Sequence, residues 1–121
     1  MKKTLLWLDD LRPPDTIING KTWVETFSPI NQPYEVIWVK SYNEYVSWIT
    51  ENSLPDAICF DHDLGWESQE IEEKTGMDCA KWLVEYCMDN NKKLPLYNIQ
   101  SANPVGKDNI DGLLKSFIKN V

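Results

Sequence analysis

The sequence contains very little of two side chains that often act on phosphates: its 121 residues include one histidine, His62, and one arginine, Arg12. A single histidine excludes any acid–base mechanism that needs two of them. No apolar run approaches the roughly 20 residues of a membrane span, so we expect no contact with a membrane. The first ten residues also lack the pattern of a secretory signal, because acids follow a short apolar stretch.

Cysteine is scarce as well, and the spacing of the three cysteines excludes a CxxC metal or redox motif. Cys59, Cys79 and Cys87 stand in apolar surroundings. We predict that they are buried, reduced thiols, which is typical of a cytoplasmic protein.

Positive charge is limited: 12 basic residues against 19 acidic ones give a formal net charge of −7. Proteins that bind duplex nucleic acid need a basic stripe, so this class is excluded. Hydrophobic residues make up 42% and charged residues 26% of the chain, as in an ordinary globular domain. The length predicts one domain over residues 1–121.

Short continuous apolar runs predict strands that are buried on both faces. The runs cover residues 4–8, 35–39, 57–60 and 96–99. Stretches with helical spacing of apolar residues lie between and after the strands. This alternation predicts a parallel sheet with right-handed crossovers, in a small three-layer α/β domain.

Capping signals mark where the predicted helices begin. Ser41 and Glu44 form a capping-box pattern, Thr75 opens a second helix, and Asn103 followed by Pro104 opens the last one. Four tryptophans fall on apolar faces and are predicted to belong to the core: Trp7, Trp38, Trp48 and Trp82. Residues 11–33 contain several prolines, so the first crossover is predicted to be largely loop, with one short turn of helix near residues 21–27.

Acidic side chains follow two of the predicted strands, at the edge where ligands bind in α/β sheets. Asp9 and Asp10 come after the first strand, and Asp61 comes after the third. Three carboxylates brought so close repel one another unless a cation lies between them, and Mg²⁺ (or Mn²⁺) prefers such ligands. The alternative is that these acids cap loops by accepting backbone amides. We favour a metal site formed by Asp9, Asp10 and Asp61.

Candidate phosphate-binding residues lie at the same edge. Arg12 either binds a phosphate with its guanidinium or forms a salt bridge with Asp9 or Asp15. Ser101 and Asn103 precede the last helix, whose N-terminal amides favour an anion, and Lys107 adds a positive charge. Helix capping by Asn103 is the alternative, and both roles are compatible.

Proton transfer is predicted for His62 or Asp63, which follow Asp61 directly. Strand alternation places His62 on the opposite side from Asp61 and Asp63, so a catalytic His62 requires the backbone to turn there. A structural hydrogen-bonding role for His62 is the alternative.

Four segments, LDDLRPP, FDHDLG, TGMDCAKWL and SANPVG, resemble those of the cyclic-phosphate processing receiver domain family. The resemblance implies a receiver-like, flavodoxin-like parallel sheet of four to five strands. It also implies that Asp9 and Asp10 match the metal-binding pair, Asp61 the phosphorylated aspartate and Ser101 the switch hydroxyl. The implied substrates are cyclic phosphates, such as those on RNA ends or nucleotides.

The sequence departs from this pattern in two places. The fifth strand of a receiver, with its phosphate-binding lysine, has no counterpart, and Gln100 stands where the family usually has histidine. Gln100 can form hydrogen bonds but cannot act as an acid or base.

Two functions therefore stay open. The first is a Mg²⁺-dependent phosphoesterase or cyclic phosphodiesterase that acts on a small phosphate ligand or an RNA or nucleotide end, with Asp61, His62 and Asp63 as candidate catalytic residues. The alternative is a non-catalytic or signalling module with a protein partner. Few arginines among many lysines and asparagines are also typical of an AT-rich genome, such as that of a phage.

Overall fold

The computed structural model describes residues 3–61, 75–100 and 104–119 of the chain. Its central feature is a sheet of four parallel strands in the order β4-β1-β5-β6. These strands are β1 (Lys3–Leu8), β4 (Tyr34–Val39), β5 (Ala57–Phe60) and β6 (Leu96–Ile99). A separate two-stranded sheet pairs β2 (Ile17–Ile18) with β3 (Lys21–Thr22). The helices are α1 (Trp23–Phe27), α2 (Tyr42–Asn52), α3 (Gly76–Asp89) and α4 (Pro104–Lys119).

The four predicted strands are confirmed, and their apolar runs explain their position. Every residue of β5 is buried, as are the last four residues of β1, because these two strands lie in the middle of the sheet. The outer strands β4 and β6 are only partly buried. The predicted receiver-like α/β fold is therefore the fold of the protein.

Helices pack on both faces of the sheet, but unequally. On one face, α2, α3 and α4 bury residues such as Tyr45, Leu83 and Ile110 against Leu6 and Phe60. The other face is covered by α1 and its neighbouring loop, where residues such as Val24 and Phe27 pack on Trp7 and Cys59. The second layer is therefore much thinner than the first.

The helix starts are close to those predicted. The hydroxyl oxygens of Ser41 and Thr75 accept the amides of Glu44 and Asp78, as N-caps do. At α3 the cap is reciprocal, since Asp78 accepts the Thr75 amide in return. At α2 the structure differs in detail, because the Glu44 carboxylate accepts the amide of Lys40.

The first crossover is largely loop, as predicted, but it contains a small hairpin that the prediction missed. β2 and β3 are joined by Asn19 and Gly20, which both have positive φ angles (54° and 83°). Two successive residues with positive φ form the turn that matches the twist of a hairpin, and Asn-Gly is its preferred sequence. The strands are only two residues long, so the apolar alternation that usually reveals a hairpin does not develop.

The three cysteines are free and buried, as predicted. Burial raises the pKa of the Cys59 thiol to about 12. Three of the four tryptophans assigned to the core, Trp38, Trp48 and Trp82, are only partly buried and pack at its margin. Trp7 alone among the four is fully buried. Within the described ranges, no helix is both long enough and apolar enough to cross a membrane.

Replacing Ile58 by alanine tests the importance of β5 for the fold. Ile58 is fully buried, so Ile58→Ala removes apolar contacts and leaves a cavity. We expect the free energy of unfolding, measured with urea, to fall by about 2–4 kcal/mol. The matched change at a residue that is 70% exposed, Ile17→Ala, should alter it by no more than about 0.5 kcal/mol. Equal losses from the two variants would contradict this placement of the core.

Candidate metal and phosphate site

Three carboxylates lie together at the edge where the strands end. One oxygen from each of Asp9, Asp10 and Asp61 lies within 4.8 Å of the other two. The parallel register explains the grouping: Trp7 of β1 pairs with Cys59 of β5, so Asp9 and Asp61 follow at the same level two residues later. Asp9 is fully buried and Asp61 is 7% exposed, so water screens their charges poorly.

The Asp9 side chain also shapes the loop that follows β1. Its Oδ1 atom accepts the amides of Leu11 at 3.0 Å and Arg12 at 2.9 Å, which closes a tight turn after the strand. Its Oδ2 atom is buried and has no hydrogen-bond partner among the described residues. The loop-capping interpretation is therefore correct for one oxygen of Asp9, while the other oxygen remains available.

Two tryptophans hold the backbone of this loop. The indole N–H of Trp38 donates to the carbonyl of Asp9 at 2.7 Å, and that of Trp7 donates to the carbonyl of Arg12 at 2.8 Å. The sequence analysis assigned both residues to the core and missed this role. The available signal was chemical, because a buried indole N–H usually needs an acceptor.

Arg12 connects the loop after β1 to the end of β6. Its Nη1 atom donates to the carbonyl of Gln100 at 2.6 Å and lies 3.6 Å from Asp9 Oδ2. Its guanidinium carbon lies 5.4 Å from the centre of the Trp23 ring. The structure therefore shows the salt bridge with Asp9 that the sequence left open. A guanidinium has five N–H donors, and this side chain is 28% exposed, so phosphate binding by Arg12 stays a prediction.

Gln100 spans the edge of the sheet. Its backbone amide donates to the carbonyl of Phe60 in β5 at 2.9 Å. Its side-chain Nε2 atom reaches over β5 and donates to the carbonyl of Leu8 in β1, also at 2.9 Å. Its Oε1 atom is buried without a hydrogen-bond partner among the described residues. Gln100 thus ties three strands together and leaves a second buried acceptor at this edge.

These residues fit a hard divalent cation. A buried carboxylate oxygen without a hydrogen bond is costly, and the 3.6 Å to Arg12 is too long for one. Asp9, Asp10 and Asp61 together offer the oxygen ligands that Mg²⁺ or Mn²⁺ prefers. Asp9 Oδ2 is the atom best suited to it, because it is already buried beside two further acids.

The remaining predicted site residues are less informative. Lys107 lies exposed in the first turn of α4, and no described contact joins it to the three acids. Its charge acts on Asp111, whose pKa is lowered mainly by a hydrogen bond from Lys115. His62, Asp63, Ser101 and Asn103 lie outside the described residues.

A comparison with protein-family models identifies the family of this chain. The model of the cyclic-phosphate processing receiver domain matches residues 4–116. The chain belongs to this family. The matched range includes the positions of the three clustered acids, Arg12 and Gln100. A search of curated proteins found no significant match.

Membership of this receiver family confirms the resemblance drawn from the sequence motifs. The match links the domain to a family that processes cyclic phosphates. The described residues form four parallel strands, with β6 at one edge of the sheet. Within these residues, no fifth parallel strand follows β6.

The clustered charges predict an unusual effect on stability. In the presence of EDTA, Asp61→Asn should raise the free energy of unfolding by about 1–3 kcal/mol, because it removes repulsion between carboxylates less than 5 Å apart. Urea unfolding measures this change. Asp15 is an exposed acid later in the same loop. Asp15→Asn should therefore alter the free energy of unfolding by no more than about 0.5 kcal/mol. A loss of stability in Asp61→Asn under these conditions would contradict the proposed repulsion.

Proposed function

We propose that this receiver domain binds a divalent metal ion and a phosphate at the carboxyl edge of its sheet and hydrolyses cyclic or terminal phosphates of RNA or nucleotides. The single observation that carries the proposal is the cluster of Asp9, Asp10 and Asp61, in which one buried Asp9 oxygen has no hydrogen bond from the described residues. Acidic residues that only cap loops after strands have no need to lie so close to one another. The family match supports the choice of substrate class.

Asp9, Asp10 and Asp61 would hold the metal, preferably Mg²⁺ or Mn²⁺. A divalent cation bound there supplies Lewis-acid polarisation of a phosphoryl oxygen. The loop that carries Asp9 is held in place before any ligand arrives, since Trp7 and Trp38 bind its carbonyl groups. Such preorganisation avoids the cost of ordering the loop on binding.

Arg12 is the described residue best placed to bind the phosphate. Its contacts with Gln100 and Trp23 fix the guanidinium beside Asp9, and a guanidinium offers five N–H donors that suit phosphate oxygens. It also offsets part of the negative charge that would otherwise repel a phosphate from this edge. Ser101, Asn103 and Lys107 complete the proposed phosphate-binding set.

Proton transfer is proposed for Asp63 or His62. Gln100 has no proton to exchange at neutral pH, so it serves only as a hydrogen-bonding residue. With one histidine in the chain, a pair of histidines acting as acid and base is excluded. A carboxylate or the single histidine must therefore move the proton that attack by water releases.

The test is hydrolysis of adenosine 2′,3′-cyclic phosphate, in which water adds to phosphorus and one P–O ester bond breaks to give a monophosphate. Hydrolysis is measured by ³¹P NMR. We expect turnover in the presence of Mg²⁺ and none in the presence of EDTA. Asp61→Asn should reduce the rate to that seen with EDTA. Arg12→Gln should lower kcat/KM by about 10- to 100-fold, the effect of losing a hydrogen bond to a charged group.

Glu51→Gln provides the control, because Glu51 is exposed on α2 and distant from the sheet edge in the fold. It should retain the wild-type rate. If wild-type protein shows no metal-dependent hydrolysis of cyclic or terminal phosphates, the enzymatic proposal is wrong and a non-catalytic role in signalling or protein binding is favoured.

A further inference from the structure

A second feature lies at the opposite edge of the sheet, where the strands begin. A groove with a volume of about 740 Å³ runs between the start of β6 and the end of α4. Leu96 lines it from β6, Phe117 and Ile118 line it from α4, and Lys92 and Lys93 line it from the preceding loop. The groove is separate from the carboxylate cluster, because it lies at the start of β6, whereas the carboxylates lie where the strands end.

β6 is the outer strand of the four-stranded sheet, so one of its sides is unpaired within the described part of the chain. The amides of Leu96 and Gln100 donate to β5. Strand alternation therefore directs the backbone groups of Tyr97 and Ile99 away from β5. The Ile99 amide donates to the Asn98 side chain at 2.8 Å, whereas Tyr97 is among the residues that line the groove.

Apolar side chains are exposed on both sides of this strand edge. Leu96 is 59% exposed on the thinly covered face, and Ile118 is 52% exposed on the face that carries α4. An extended chain laid along β6 would point alternate side chains to the two faces, so its residues would contact Leu96 and Ile118 in turn. A helix presents one apolar face only and would not cover both.

The charge of the groove indicates what kind of chain fits it. Its lining contains Lys92 and Lys93 but no acid, in a protein with a net charge of −7. Asp111 contacts the groove residue Tyr97, whose hydroxyl donates to it at 2.9 Å, and it forms a salt bridge with Lys115 at 2.8 Å. A second copy of this chain would add a further net charge of −7, whereas a short segment with a few acids at one end is attracted locally by the two lysines.

We propose that the edge of β6 binds an extended peptide from a partner protein, with apolar residues next to an acidic end, as an added fifth strand. The peptide forms main-chain hydrogen bonds with Tyr97, packs its side chains on Leu96 and Ile118, and places its acids at Lys92 and Lys93. This interaction is independent of the metal and phosphate site.

The probe is a fluorescein-labelled peptide, Asp-Asp-Val-Thr-Val-Thr-Val, titrated with the full chain and followed by fluorescence anisotropy. We expect saturable binding with a Kd on the order of 100 µM, typical of weak peptide recognition. The double variant Lys92→Glu, Lys93→Glu should weaken binding by about 10-fold and should bind the matched peptide Lys-Lys-Val-Thr-Val-Thr-Val instead. Ile118→Ser should also weaken binding, and Met88→Ser, at a residue 64% exposed on α3, should not.

Hydrogen exchange of the Tyr97 amide gives an independent readout, since an added strand should slow it and a peptide bound elsewhere would not. The proposal is overturned if the two peptides bind with equal affinity, or if neither binds up to about 1 mM. It is also overturned if the chain self-associates and Leu96→Ser abolishes the association, because the occupant is then a second copy. Mg²⁺ binding by the double variant should equal that of wild type, which separates this test from that of the proposed function.

Discussion

The parallel register of β1 and β5 places two carboxylates, Asp9 and Asp61, side by side at the end of buried strands. The repulsion between these two carboxylates is the constraint on which the arrangement of the neighbouring residues at this edge depends. With Asp10 they form a cluster whose oxygens lie within 4.8 Å of one another. Like charges at such distances in a poorly hydrated place destabilise the protein by several kcal/mol unless an opposite charge compensates.

The surrounding residues reduce this cost only in part. Two backbone amides satisfy one oxygen of Asp9, and the guanidinium of Arg12 approaches the other without reaching hydrogen-bond distance. Two indole N–H groups fix the loop, and Gln100 binds the ends of three strands together. These contacts hold the loop after β1 in place, and they leave one buried oxygen of Asp9 without a hydrogen bond from the described residues. Such a preorganised group of polar side chains is what a proposed binding site requires.

Much of this arrangement could be predicted from the sequence because it depends on local patterns. Continuous apolar runs specify the buried strands, and acids directly after two adjacent parallel strands must meet at one edge. The contacts of Gln100 and Trp38 depend on residues 92 and 29 positions away, and no local pattern encodes such pairs. The Asn19–Gly20 turn was readable, but its two-residue strands are too short to show alternation.

The groove beside β6 illustrates the other limit of sequence reasoning. The motifs predict the four strands, but not that the outer edge of β6 is flanked by apolar side chains and two lysines. That arrangement follows from the fold, which brings the end of α4 to the start of β6, so that Ile118 and Leu96 line the same groove. The two edges of the sheet thus present opposite chemistry, with acids where the strands end and lysines where they begin.

Calorimetric titration of the metal-free protein with Mg²⁺ tests most directly whether the carboxylate cluster is a cation site. Wild-type protein should bind about one ion, and Asp9→Asn should weaken binding by at least about tenfold, equal to about 1.4 kcal/mol. The control Asp15→Asn should bind as wild type does. The absence of saturable binding in the wild type, or equal affinity in Asp9→Asn, would contradict the assignment of this edge as a metal site.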